Sequence, residues 1–198
     1  MPRKANPPET VSALDRLGPE EAARLLPQLL KSHPELRIEI EALALKLITT
    51  VDPEEVADDL EFEFSGIHQE EIWDRSGSDS DGSYTAPDEA AGQLCEEALA
   101  PFLEDLRRLL SMGQADSALA QVKGMILGLH NLKGQLPPDA EDYPSESGLY
   151  EVLETWVEGR PVLADKPVLA WVAEVLPDWR GDVEKNLEHI RKRIANAR

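Results

Sequence analysis

Gly124 and Gly128 stand four residues apart inside a segment otherwise built to be a helix, and this pair limits what the chain can fold into. From Asp116 or Ser117 onward, Leu119, Val122, Ile126, Leu129 and Leu132 recur at helical spacing. A glycine in a helix interior costs about 1 kcal/mol against alanine, so two on one strip with Ser117 and Gln121 require a local reason. Close approach of another helix supplies one, and a merely softened helix is the plainer alternative. A membrane-packing role for Gly-x-x-x-Gly fails, because Lys123 and His130 interrupt a run far shorter than the ~20 apolar residues needed to span.

The segment before it reads as the other arm of a helical pair. Ala91, Leu94, Ala98, Phe102, Leu106 and Leu109 recur at three- and four-residue steps, with acids and arginines filling much of the rest. Pro87 suits a first helical turn, Asp88 and Glu89 complement the positive end of the helix dipole, and Thr85 is a candidate cap. Pro101 is expected to kink this arm or to divide it into two shorter helices. Gly113 ends it.

Elsewhere the same opening chemistry returns: Pro19, Pro34 and Pro53, like Pro87, are each followed by acidic residues. They predict helices with Leu25, Leu26 and Leu29, then Ile40, Leu43 and Leu47, then Leu60, Phe62 and Phe64 on their apolar sides. After a short amphipathic piece from Ile67 to Trp73 comes a Ser-Gly-Asp loop, and a second interruption with three prolines runs from Gly134 to Gly148. Three more helices follow, ending with Val183, Leu187, Ile190 and Ile194. No strand alternation persists long enough to propose a sheet.

The expected organisation is a flexible lead-in at 1–9 and a main helical domain at 10–133 with an acidic loop at 74–86. A loop at 134–148 and C-terminal helices at 149–198, packed on the main domain, complete it. The fold class is all-α: an irregular antiparallel helical array, α-hairpin or solenoid-like, of about eight to ten helices.

Charge narrows the function. With 39 acidic against 20 basic residues the formal net charge is −19, which argues against a positive surface for nucleic acid or for an anionic membrane. Between Asp52 and Glu97 the only base is Arg75, whereas the final helix carries Lys185, Arg191, Lys192, Arg193 and Arg198. Solvated helix faces account for most such runs; a docking surface for a basic partner and an internal contact between the two blocks are the alternatives. Cys95 is the only cysteine, which leaves no internal disulfide and suggests a small buried hydrophobe. With no apolar leader and no spanning run, the cytoplasm is the default compartment.

Candidate chemistry is sparse. Residues 77–88 align with a calcium-binding EF-hand loop through Asp79, Asp81, Gly82 and Asp88, but Gly77 replaces the leading carboxylate, and a flexible acidic loop is the simpler reading. His33, His68, His130 and His189 are far apart, and His68 with Glu71 and Asp74 is a weak metal pattern. Neither a serine elbow nor a phosphate loop occurs, and with so many acids, chance carboxylate pairs are inevitable. For the tryptophans Trp73, Trp156, Trp171 and Trp179, three of them in the last third of the chain, core filling is favoured over an aromatic peptide groove.

Val51–Val56 (VDPEEV), Ile72–Gly77 (IWDRSG) and Ala98–Leu110 (ALAPFLEDLRRLL) carry a resemblance. The stretch from about Leu36 to Leu132, roughly half the chain, resembles helical regions that accompany SWIM-type zinc fingers in prokaryotic proteins. The finger's own cysteines and histidine are not matched here, so the resemblance implies no metal or DNA role. More broadly the chain is similar to helical-repeat adaptors, which implies partner binding.

These readings converge on a non-enzymatic protein–protein interaction or scaffold domain with an acidic docking surface and no cofactor. Its partner is another protein with a basic surface, rather than nucleic acid directly or a membrane. Candidate contact residues are Asp58, Asp59, Glu63, Glu70, Glu71, Trp73, Asp79, Asp81 and Tyr84. An acidic mimic of nucleic acid that inhibits a basic partner is the alternative, followed by an enzyme whose site is assembled from distant residues.

Overall fold

The computed structural model describes residues 16–78, 83–159 and 165–197. Among them are nine α-helices: α1 (Pro19–Ser32), α2 (Arg37–Thr49), α3 (Pro53–Ser65), α4 (Gln69–Arg75), α5 (Pro87–Ser111), α6 (Ala115–Asn131), α7 (Leu149–Gly159), α8 (Asp165–Val175) and α9 (Arg180–Asn196). The fold is all-α, with a helix number in the expected range. One two-stranded ladder, β1 (Gly77–Ser78) with β2 (Tyr84–Thr85), pairs antiparallel as Gly77 with Thr85 and Ser78 with Tyr84. That sheet was not expected, because two residues per strand leave no alternation to detect.

The chain divides into two compact units, Met1–Leu47 and Ile48–Arg198, whereas the sequence suggested a main domain over 10–133. The division has a physical basis: neither α1 nor α2 contains a buried residue. The lead-in at 1–9 and the first residues of the expected main domain, 10–15, lie outside the described residues.

In the second unit, α5 and α6 form the central hairpin. Gly113, at φ 70°, closes α5 with a Schellman turn in which its amide donates to the Leu110 carbonyl and that of Gln114 donates to the Leu109 carbonyl. Leu94, Cys95, Leu99, Leu103, Leu106 and Leu109 of α5 face Val122, Met125, Ile126 and Leu129 of α6 in one continuous core. α5 runs unbroken through Pro101, which is exposed together with Glu97, the residue whose carbonyl loses its amide partner there. The N-cap of α5 is Ala86, not Thr85, which is taken up in β2.

The glycine strip of α6 is where α3 lies. A Cβ on Gly124 would stand 2.6 Å from both the Pro53 carbonyl oxygen and Val56 Cβ, and one on Gly128 would stand 3.0 Å from the Ala57 carbonyl oxygen. At one end the Ser117 hydroxyl donates to the Thr49 carbonyl at 2.6 Å, and at the other Asn131 Nδ2 donates to Glu61 Oε1 at 2.7 Å. Residue numbers rise together along both helices, so α3 and α6 run parallel, a departure from a uniformly antiparallel array.

The interval 134–148 is not a free loop. It holds a 3₁₀ turn at Pro138–Ala140 and a π turn at Pro144–Gly148 that feeds directly into α7, with Ala140, Tyr143, Pro144 and Gly148 buried. α7 packs on α5 and α6 and also meets α9. Trp156 and Trp179 fill the core, as expected, and Trp171 sits half-buried at its edge.

Gly124→Ala is expected to lower stability by about 2 kcal/mol or more, because the overlap with Pro53 and Val56 exceeds the helix-propensity gain of about 1 kcal/mol. A Cβ on Gly92 in α5 meets nothing within 4 Å, so Gly92→Ala is expected to raise stability by about 0.5–1 kcal/mol. Urea denaturation of the two variants checks both signs.

Candidate docking surface

α3 is positioned by its own start and by its buried stripe. Asp52 caps it, its carboxylate accepting the Glu54 amide at 2.9 Å, and Pro53 occupies the first turn, where an amide has no acceptor. Ala57, Leu60 and Phe64 are buried, and a leucine or phenylalanine side chain contributes about 1.5–3 kcal/mol on leaving water. The same periodicity turns Asp58, Asp59, Phe62 and Glu63 outward, and all four are exposed. Phe62 is 75% exposed, which corrects its assignment to the apolar side. It lies three and four residues from Asp59 and Asp58, and so on the same helix face.

α4 hangs from Ile72, which is completely buried, while Glu70 and Trp73 are exposed. Glu71 is half-buried and accepts from Arg75 at 3.4 Å, and Arg75 also donates to Glu97 of α5 at 2.7 Å. That hydrogen bond holds the Glu97 carboxyl below its usual range and raises the Arg75 guanidinium. The single base of the acidic block thus ties α4 to α5. Between α3, α4 and residues 132–137 lies an open groove of about 460 Å³, which brings Glu61 and Glu70 together with His68 and Leu132.

Tyr84 is exposed on β2. Asp79 and Asp81, with Gly82 of the calcium-loop alignment, lie outside the described residues, and Asp88 is exposed in the first turn of α5. Among the described residues no three His, Cys, Asp or Glu side chains form a group that could hold a metal ion.

Among the described residues, the basic final helix makes no ion pair with the acidic block. Arg191 pairs with Asp165 at 2.6 Å, Lys192 with Glu188 at 2.6 Å, and Arg193 with Glu154 and, at 3.1 Å, with Glu158. All four acids lie beyond residue 97. None of the ion pairs among the described residues involves Asp58, Asp59, Glu63 or Glu70.

The histidines have separate neighbours. His33 meets Glu35, His130 meets Asp178 at 3.2 Å and the edge of Trp179, and His189 packs against Tyr150. His130 holds the Asp178 carboxyl below its normal range. Cys95 is fully buried, as its apolar neighbours suggested, and burial pushes its thiol up to about 12. The Tyr143 hydroxyl donates to Glu151 at 3.0 Å; burial raises both groups, and for Glu151 this exceeds the opposing effect of the hydrogen bond.

No protein-family model, curated protein or solved structure matches the chain. No helix among the described residues is long and apolar enough to cross a membrane.

Because thiolate is the reactive form, Cys95 is expected to resist an aromatic disulfide reagent at pH 8 and to react fully in denaturant, as read by absorbance. Glu151 has the opposite linkage to a salt-bridged acid. Its folded pKa lies above the unfolded value, so the folded state binds the extra proton, and stability falls as pH rises from the unfolded pKa through the folded one. Thermal melts of Glu151→Gln are expected to show a gain over the parent at pH 7, and that gain should shrink below about pH 4, where the unfolded carboxyl is also protonated.

Proposed function

We propose that this chain is a non-enzymatic interaction or scaffold module that uses the acidic surface of α3 and α4 to dock a basic protein. The observation that carries the reading is the outward face of α3, where Asp58, Asp59 and Glu63 surround the exposed Phe62 without an ion-pair partner among the described residues. An uncompensated negative face raises the encounter rate with a cationic partner and penalises anionic ones. Charge alone gives little affinity in water, and an aromatic ring at the centre of such a face supplies the desolvated anchor that interfaces depend on. Glu70, Trp73 and Tyr84 extend the candidate surface; Glu71 is already engaged by Arg75. The reading takes the cytoplasm as its setting and needs neither a cofactor nor a membrane. It is also what similarity to helical-repeat adaptors implies.

Affinity capture from native extract at low salt, followed by titration of the captured protein, tests this. Affinity is expected to fall steeply with salt for the parent. Asp58→Asn/Asp59→Asn/Glu63→Gln should bind roughly tenfold more weakly at low salt and show a flatter salt slope. Phe62→Ala should weaken binding while keeping the slope. A salt-independent affinity overturns the electrostatic reading, and competition by duplex DNA for the same partner replaces it with nucleic-acid mimicry.

A further inference from the structure

The groove between α3, α4 and residues 132–137 has a rim of one chemical kind. Three of its polar side chains have their donor atoms engaged within the protein. The Gln69 amide nitrogen donates to Asp139 Oδ2 at 2.7 Å, that of Gln135 to the Asn131 carbonyl at 2.6 Å, and the Ser65 hydroxyl to the Phe62 carbonyl at 2.6 Å. A carboxylate and a carbonyl only accept, so both amide orientations are forced, and the amide oxygens of Gln69 and Gln135 are left for other donors. Glu61 accepts from Asn131 Nδ2 through Oε1 at 2.7 Å, which leaves its second oxygen available, and Glu70 has no ion pair among the described residues. His68, exposed, completes the polar lining.

Between these groups the lining is apolar: Ile67 and Leu132 are buried, and Leu136 and Pro137 are half-buried. Among the described residues no lysine or arginine lines the groove. Arg75 is held by Glu71 and Glu97, and Lys133, the nearest base in sequence, acts on Asp178, whose carboxyl it helps to hold low. Oxygen acceptors and two carboxylates beside apolar carbon fit a cation that carries several N–H groups around a flat, weakly hydrated plane. We propose that this groove receives an arginine side chain of the basic partner, its guanidinium meeting Glu61, Glu70 and the amide oxygens of Gln69 and Gln135.

The proposal rests on the reading that a basic protein docks on α3 and α4, and it names the side chain that is recognised there. Glu61 lies three residues after Asp58 and so neighbours it on α3, which places the groove beside the acidic face. Arginine fits better than lysine for two reasons. A guanidinium directs its donors outward in one plane, so separate oxygens are satisfied together, whereas an ammonium is a compact and strongly hydrated point charge. The faces of the guanidinium and its aliphatic stem also gain from contact with apolar walls. An open groove of about 460 Å³ has room for one such side chain.

Titration of the full chain with N-acetyl-arginine methylamide, followed by amide and methyl NMR shifts at physiological salt, is the test. Saturable shifts are expected at Ile67, Leu132 and the side-chain amide of Gln135. N-acetyl-lysine methylamide should bind about tenfold more weakly, and N-acetyl-norleucine methylamide should cause no saturable shift. Glu61→Gln/Glu70→Gln should weaken the arginine probe about tenfold, and Gln135→Leu about threefold. Asp59→Asn/Glu63→Gln alters residues two positions either side of Glu61, on the far side of α3, and should leave the affinity within about twofold. Near-ultraviolet circular dichroism of the buried Trp156 and Trp179 verifies that each variant is folded. A probe that does not bind overturns the proposal. So does lysine binding as tightly as arginine, norleucine binding as well as either, or a Glu61/Glu70 variant that binds as the parent does. The two readings fail separately. A partner whose affinity ignores salt leaves the probe's affinity for the groove in place, and a groove that ignores the probe leaves the outward face of α3 able to dock a basic protein.

Discussion

The approach of α3 to α6 is the contact on which the second unit rests. Gly124 and Gly128 remove the side chains that would hold two helix backbones apart, and Pro53, Val56, Ala57 and Leu60 fill the space. Hydrogen bonds from Ser117 to Thr49 and from Asn131 to Glu61 fix the register at either end of the seam. Close packing of this kind tolerates no extra atoms, since interiors are as dense as organic crystals. With α3 fixed against α6, its opposite side has only one direction to face, and that is where Asp58, Asp59, Phe62 and Glu63 lie.

Much of this was legible in the residues. The α5–α6 hairpin announces itself through its apolar spacing and Gly113, and the strip of small residues on α6 predicts a close neighbour without naming it. Asp52-Pro53-Glu54-Glu55 marks the start of α3 to the residue. These features are local, so periodicity and turn chemistry capture them.

What was not legible depends on contacts distant in sequence. Phe62 is the exception, because its misassignment was local: it lies two residues from both Leu60 and Phe64, about 200° around the helix, so the 3.6-residue period itself turns it outward. The prolines of 134–148 suggest a loop, yet Tyr143 stacks near Phe64 with ring centroids 6.2 Å apart and is buried, because its hydroxyl finds Glu151. Leu43 and Leu47 carry a convincing helical rhythm, but rhythm reports amphipathic potential and says nothing about whether a surface is available to cover it. The acidic block could have been answered by the basic end of the chain; only the geometry of α9 shows that its arginines are occupied by Glu154, Glu158 and Asp165.

The parallel seam between α3 and α6 has a consequence for how the chain matures on the ribosome. Its two halves are separated by α4, the small ladder and the whole of α5, so its contacts close a long loop and form slowly. At typical elongation rates of about 5–20 residues per second, α3 emerges several seconds before α6 is complete. During that interval Ala57 and Leu60 have no glycine groove to enter. Asp58, Asp59 and Glu63 keep the outer side of the helix in water throughout, so the inner stripe alone waits for its cover.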